Sequence, residues 1–343
     1  MNLPRLEIVW ERQIDAHVLA ARPLHRLPLI AALPTDGPVH LLNLETGTTV
    51  GTLPSHPSGN GALEIHPLDD SIMTGGHDGI LLCHTPPFHY EPQSISAGNR
   101  WIEPIRASPD GKWIAHGSGK TLTIRNNTPE DSVVLTNQAS TIADIQWRND
   151  SRALAFSTYG QLTLIRQGQS GAWEPNPHAN LIWKGSLKQI AWSPNGRYLA
   201  ATTSERSIKL WRTPFEQSGE MVMHGYDTNV TELRWTPDSR FLLTNGSETL
   251  TAWDTSGRGP SGTTPERRTG HQSPITAFAT SPDGKIILTG DGDGLILSGT
   301  VSLTNGCIVQ SMADPVSTLQ ATPKERHFVA GYDSGKIQLI RVP

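Results

Sequence analysis

The sequence is poor in cysteine, in charge and in long apolar runs, and each shortage closes off a class of protein. Two cysteines, Cys83 and Cys307, are too few for a disulfide framework and fit a reducing compartment. No stretch approaches the roughly 18 apolar residues that cross a bilayer. The opening MNLPRLEIVWERQIDA lacks the basic-then-apolar order of an export signal, so the cytoplasm is the expected location and no membrane partner is expected. Charged residues are only 17%, the formal net charge is −4, and no block of like sign occurs, so no footprint for nucleic acid is expected.

Glycine, proline and tryptophan are abundant instead. Thirty-two Gly and 26 Pro are spread evenly among ten Trp, a profile that suits many short strands joined by tight turns. One pattern recurs throughout: an alternating strand, a Pro-Asp-Gly-like turn, a second apolar strand, a Gly-containing turn and a third strand. Its clearest copies are IAWSPNGRYLAATTSERSIKLWR (190–212), LRWTPDSRFLLTNGSETLTAWD (233–254) and FATSPDGKIILTGDGDGLILSG (278–299). Taking the turn at Leu24, Pro67, Pro109, Asn149, Pro194, Pro237, Pro282 and Pro323, eight units follow one another at intervals of 40 to 45 residues.

A sheet of this size cannot bury its apolar faces alone, so neighbouring sheets must stack, and stacking into a ring leaves only short edges. The reading is therefore a single all-β domain over residues 1–343, with units near 17–56, 57–100, 101–140, 141–185, 186–228, 229–273, 274–314 and 315–343. Eight blades are expected, with seven as the fallback because the first unit lacks the Pro-Asp-Gly turn. The last unit stops after its third strand, so residues 1–16, which alternate as a strand, are expected to complete the last blade. Trp147, Trp192 and Trp235 recur just before the first turn and are expected to wedge between blades. The connections at 85–99, 167–180 and 255–270 read as insertions on outer strands.

The pattern resembles the WD-repeat β-propeller family, through WSPNGRYLAATTSERSIKLWR, WTPDSRFLLTNGSETLTAWD and GHQSPITAFATSPDGKIILTGDGDG. The resemblance implies a closed propeller that binds proteins. It also implies a hydrogen-bonded set of His, Ser or Thr, Asp and Trp, of which His271, Thr289 and Asp293 match the first three; LILSG lacks the Trp. More narrowly, LIWKGSLKQIAWSPNGRYLA, HGYDTNVTELRWTPDSRFLLTNGSETLTAWD and GNRWIEPIRASPDGKWIAHGSGKT resemble a bacterial WD-repeat group encoded beside CobW-family GTPases, which are metal chaperones. That likeness implies a CobW-type GTPase as partner and a link to zinc supply.

Motifs with mechanics attached are missing. GSGKT at 117–121 has Ile114 where a phosphate loop needs its first Gly, and no helix follows. HExxH, CxxC and a GxSxG elbow do not occur, so no catalytic residue, no enzymatic activity and no cofactor are expected. The alternative is a metal-binding or enzymatic propeller that uses the histidine-rich N-terminal part: His77, Cys83, His84 and His89 have ligand types suited to Zn²⁺, although Cys83 and His84 face opposite ways on a strand. For partner binding, the segments leading into each inner strand carry aromatic and basic residues: Arg100, Trp101, Trp183, Lys184, Tyr226 and His271.

Overall fold

The computed structural model describes residues 5–96, 98–126, 132–169, 171–215, 220–257, 259–301 and 313–343. Every regular element among them is a strand or a turn, and neighbours within each sheet run antiparallel. The alternating segments pair in sequence order, each joined to the next by the Gly, Asn or Asp turns that the sequence supplies.

The first unit holds β2 (Val18–Pro23), β3 (Leu29–Pro34), β4 (Val39–Asn43) and β5 (Thr49–Leu53). The second repeats that order as β6 (Asn60–Ile65), β7 (Ile72–Gly76), β8 (Ile80–His84) and β9 (Gln93–Ser96). The third is β10 (Ile102–Ala107), β11 (Trp113–Ser118), β12 (Thr121–Asn126) and β13 (Val133–Leu135). A six-stranded sheet follows: β14 (Asp144–Trp147), β15 (Ala153–Gln167), β16 (Trp173–Trp192), β17 (Tyr198–Thr203), β18 (Ile208–Arg212) and β19 (Glu220–Met223). Then come β20 (Leu233–Trp235), β21 (Phe241–Thr244), β22 (Leu250–Asp254) and β23 (Glu266–Arg268), and the three strands β24 (Ile275–Thr280), β25 (Ile287–Asp291) and β26 (Ile296–Gly299).

Within the six-stranded sheet β15 doubles back at Tyr159-Gly160. The Gln167 N–H reaches the Arg152 carbonyl (3.0 Å), and Gly160 takes the positive φ that the reversal needs. The following strand, β16, runs unbroken from the outer edge of one hairpin array to the inner edge of the next, so the boundary expected near 185 falls inside a strand. The run LIWKGSLKQIAW contains no proline or turn pair to interrupt it.

The last sheet joins the two ends of the chain. Its order is β1 (Glu7–Gln13), β29 (Lys336–Arg341), β28 (His327–Tyr332) and β27 (Val316–Ala321), with Glu7 opposite Arg341 and Gln13 opposite Lys336. The N-terminal strand is thus the outer strand of the C-terminal unit, as its alternation predicts. Trp10 on β1 is buried over Gly47 of the first unit and donates its indole N–H to the Leu44 carbonyl at 3.0 Å.

The core is divided among the spaces between sheets, where successive sheets press their apolar faces together. Val18, Ala21 and Ile30 pack with Val329, Ile337 and Leu339, so the first and last units share one cluster. The recurrent tryptophans act there as wedges. Trp147 donates its indole N–H to the Arg106 carbonyl (3.0 Å) and Trp235 to the Ala191 carbonyl (3.2 Å), each crossing to the preceding inner strand.

Candidate functional site

The turns after the inner strands form one end of the molecule, and their seams alternate in chemistry. The left-handed turn position is held in succession by Asp70, Gly111, Ser151, Gly196, Ser239, Gly284 and Arg326, with φ between 59° and 72° throughout. At the Ser and Asp positions the side chain reaches back to the previous turn. Ser151 Oγ accepts the Asp110 N–H (3.0 Å) and Ser239 Oγ accepts that of Asn195 (2.9 Å). At the Gly positions the previous unit leans forward instead: Leu68 and His66 close over Gly111, Arg148 over Gly196 and Pro237 over Gly284.

The first unit has no Pro-Asp-Gly turn, and Asp70 supplies what it lacks. Its carboxylate accepts the N–H groups of His25 (2.8 Å), Arg26 (2.9 Å) and Leu27 (2.7 Å). Register corrects the sequence reading here by one residue. Arg22 pairs with Ala31 as Glu64 pairs with Met73, so His25, not Leu24, is the counterpart of Pro67.

Inner strands diverge around the middle of the molecule and leave backbone groups that sheet pairing cannot satisfy, so side chains bridge them. Asp144 accepts the Ile190 N–H (3.0 Å), Gln189 that of Leu233 (2.7 Å), Glu232 that of Phe278 (3.1 Å) and Glu64 that of Ala107 (3.3 Å). The Thr276 hydroxyl donates to the Val316 carbonyl (2.6 Å), and Ser317 donates to that of Val18 (2.7 Å), linking the last unit to the first.

At the opposite end of the sheets, buried polar sets tie three of the lead-in segments to their own units. In the seventh unit Arg268 donates to Thr289 (2.7 Å), the Thr289 hydroxyl to His271 Nε2 (2.8 Å), and the His271 Nδ1–H to Asp291 (2.7 Å). Two points differ from the sequence expectation. The carboxylate is that of Asp291, two residues after Thr289, and not Asp293, whose N–H is instead held by Asp291 (3.0 Å). The missing Trp is replaced by Arg268, whose guanidinium fills the space above Gly299.

The second unit has a matching set that the sequence reading passed over: His56 with Thr74 (3.0 Å) and Asp78 (3.1 Å). The signal for it was a His 18 residues ahead of a strand Thr, the same separation as His271 and Thr289. In the sixth unit Tyr226 takes the His role. Trp253 donates to its hydroxyl (2.7 Å), and that hydroxyl donates to Thr244 (2.9 Å). Burial pushes the Tyr226 phenol up to about 12, so it stays a neutral donor.

The residues expected at a partner face therefore separate. Tyr226 and His271 are buried inside these sets. Trp183 is half-buried, donating to Glu205 (3.0 Å) with the Lys209 ammonium 5.2 Å from its ring centre. Arg100, Trp101 and Lys184 lie at the surface. Trp101 is 57% exposed and stacks on His77, 4.1 Å between ring centres, beside a cleft of about 270 Å³ lined by Arg100, Glu103, Pro104 and Ile142. Tyr159 and Ile182, which sequence reasoning did not single out, are exposed on the neighbouring unit. The Ile142 N–H bonded to the Gly119 carbonyl (2.9 Å) and the Tyr159 N–H bonded to Ser140 (2.7 Å) hold these segments at one end of the sheets.

The four residues of the histidine-rich region are not drawn into one set. His77 stacks on Trp101, Cys83 is half-buried on β8, His84 is buried one residue on, and exposed His89 leans on Tyr90. Among the described residues no three His, Cys, Asp or Glu side chains are grouped to hold a metal ion. Burial raises the Cys83 thiol, which disfavours the thiolate a metal requires. His84 occupies the register position that Trp253 holds in the sixth unit, opposite Ile72 as Trp253 is opposite Leu242.

Comparison with known proteins agrees with this architecture. The repeat family described as WD domain, G-beta repeat matches residues 178–212 and 263–297. A ribosome biogenesis protein WDR12 homolog of Drosophila persimilis is 23% identical over 193 residues, 48% of this chain and 44% of that protein. Protein FIZZY-RELATED 3 of Arabidopsis thaliana is 28% identical over 166 residues, 46% of this chain and 32% of that one. The chain spans less than half the length of these curated relatives. Among solved structures, the computationally designed Ika8 protein superposes with a TM-score of 0.79 at 17% identity, covering 98% of this chain and all of that one. The C-terminal WD40 domain of Sif2 gives 0.78 at 13% identity, covering 99% of each. Two segments of the chain are thus similar to WD repeats, and its architecture is all-β and propeller-like.

Proposed function

We propose that residues 1–343 form one closed, eight-bladed propeller that works as a non-catalytic scaffold for protein partners in the bacterial cytoplasm. Closure is supported by the pairing of β1 with β29 and by the Ser317 to Val18 link between the last and first units. The count of eight is supported by the doubling back of β15, which divides the six-stranded sheet into two arrays. The observation that carries the scaffold reading is the exposure of Trp101, Tyr159 and Ile182 on neighbouring lead-in segments and turns. Large apolar side chains held on rigid supports are what interface hot spots are made of. The relative whose name concerns ribosome biogenesis is consistent with assembly work.

Affinity capture from the native cell compares the wild type with a Trp101→Ala/Tyr159→Ala variant. Partners retained by the first and lost by the second are expected. Equal recovery by both would move the binding surface elsewhere. The resemblance to the bacterial group names a CobW-type GTPase, and a place in zinc supply, as the most specific partner. Gel filtration of the purified GTPase with this chain checks that choice: co-elution is expected, and separate peaks at micromolar concentration end it.

A further inference from the structure

One cavity is lined by inner strands from many units and not by any single sheet. Its volume is about 510 Å³, and Arg22, Glu64, Arg106, Gln146, Arg234 and Gln320 all reach it from the same register position, three residues before each turn.

The charges there are arranged in two layers. Each guanidinium has a carboxylate behind it: Arg22 with Glu64 (3.1 Å), Arg106 with Asp144 (2.9 Å) and Arg234 with Glu232 (2.7 Å). The side chains of the three arginines are 35%, 24% and 33% exposed, whereas those of their partners are only 12%, 7% and 13% exposed. Each carboxylate also spends an oxygen on a backbone N–H of the next inner strand, those of Ala107, Ile190 and Phe278. Asp144 and Glu232 thus stay out of the cavity lining, and Glu64, which shares the lining with the arginines, is less exposed than they are. The arginines also feel one another. Burial lowers the pKa of Arg22, Glu64 opposes this, and the nearby Arg106 and Arg234 lower it further. Among the described residues Arg22 spends a single nitrogen on a protein acceptor, leaving most of its fork for a ligand.

We propose that this cavity binds a phosphate-bearing ligand through Arg22, Arg106 and Arg234. Guanidiniums arriving from three separate strands suit a group with oxygens in three directions better than a planar carboxylate with two. Gln146, Gln189 and Gln320 add neutral amide groups to the lining. The proposal does not depend on which protein the Trp101 end engages.

Calorimetric titration of the full chain tests it with two probes: inorganic pyrophosphate, for a free phosphate compound, and a phosphoserine peptide beside its unphosphorylated form, for a phosphorylated side chain. Saturable binding of at least one probe is expected, weakened at least tenfold in Arg22→Gln and in Arg234→Gln. Arg240→Gln, which alters an exposed pair with Asp254, is expected to leave it unchanged. Should the cavity variants not fold, the wild type still decides. The indole N–H resonances of Trp147 and Trp235, two residues of the cavity lining whose indoles bond to the Arg106 and Ala191 carbonyls, are expected to shift on saturation with the bound probe while that of Trp253 stays. Absence of heat from both probes up to millimolar concentration, equal affinity in the folded arginine variants, or unmoved Trp147 and Trp235 resonances would each overturn the proposal.

Discussion

Asp70 holds three backbone N–H groups of a different unit with one carboxylate, and no local motif in the first turn announces it. Removing the carboxylate orphans all three donors, so Asp70→Ala is expected to lose about 3 kcal/mol of unfolding free energy, measured by denaturant titration. Asp70→Asn keeps one acceptor and tolerates the left-handed backbone, and should lose less. Two buried histidines act differently. Burial holds His84 and His116 down at about 4, with His56 and Arg125 respectively adding to the effect. Their unfolded values lie near 6.5, so the unfolded chain takes up protons first as pH falls. Stability is therefore complete above about pH 6.5 and drains away toward about pH 4. His116→Thr, which installs the residue found at the equivalent Thr244 and Thr289 positions, should shallow that slope; melting midpoints at neutral and mildly acidic pH measure it. The repeating turns and tryptophans were legible because each is a local signal that recurs. The Asp70 anchor was not, because its partners lie more than forty residues away. The polar register position lining the cavity left a faint trace in Glu64, Arg106, Arg234 and Gln320, which share one place before the turn.

At the scale of elements, the N-terminal strand does what its alternation foretold. Trp10 makes it more than an edge strand, since the indole is buried between the last unit and the first. Trp10→Ala is expected to destabilise by about 3 to 5 kcal/mol, far more than a frayed end would cost. Denaturant unfolding against an Ile8→Thr control checks this, because Ile8 on the same strand is exposed. The seventh unit offers a paired test. Arg268→Ala empties the space above Gly299 and removes a donor from Thr289, whereas Gly299→Trp alone collides with the guanidinium. The double variant should be more stable than the sum of the two single losses requires, a coupling of about 1 kcal/mol or more in a double-mutant cycle. Outer strands were the least legible elements. β9 and β23 lie within Pro- and Gly-rich connections that read as insertions, and each is four residues or fewer, too short for alternation to show.

For the whole molecule, stacking of sheets that cannot stand alone was readable from the repeat, whereas the path of charge through the middle was not. Inner strands meet only in three dimensions, and no single unit contains both an arginine and the carboxylate behind it in the case of Arg22 and Glu64 or Arg106 and Asp144. The alternating seams carry a further consequence, one of parity. From Asp70 to Gly284 the left-handed turn position switches between a side chain that reaches back and a glycine that is leaned upon. Two neighbours of the same kind do not complement each other: two glycines supply no acceptor, and two reaching side chains leave no room for the residue that leans. Removing one unit would set like against like, while removing a consecutive pair would restore the alternation. From Asp70 to Gly284 the seams therefore repeat every two units.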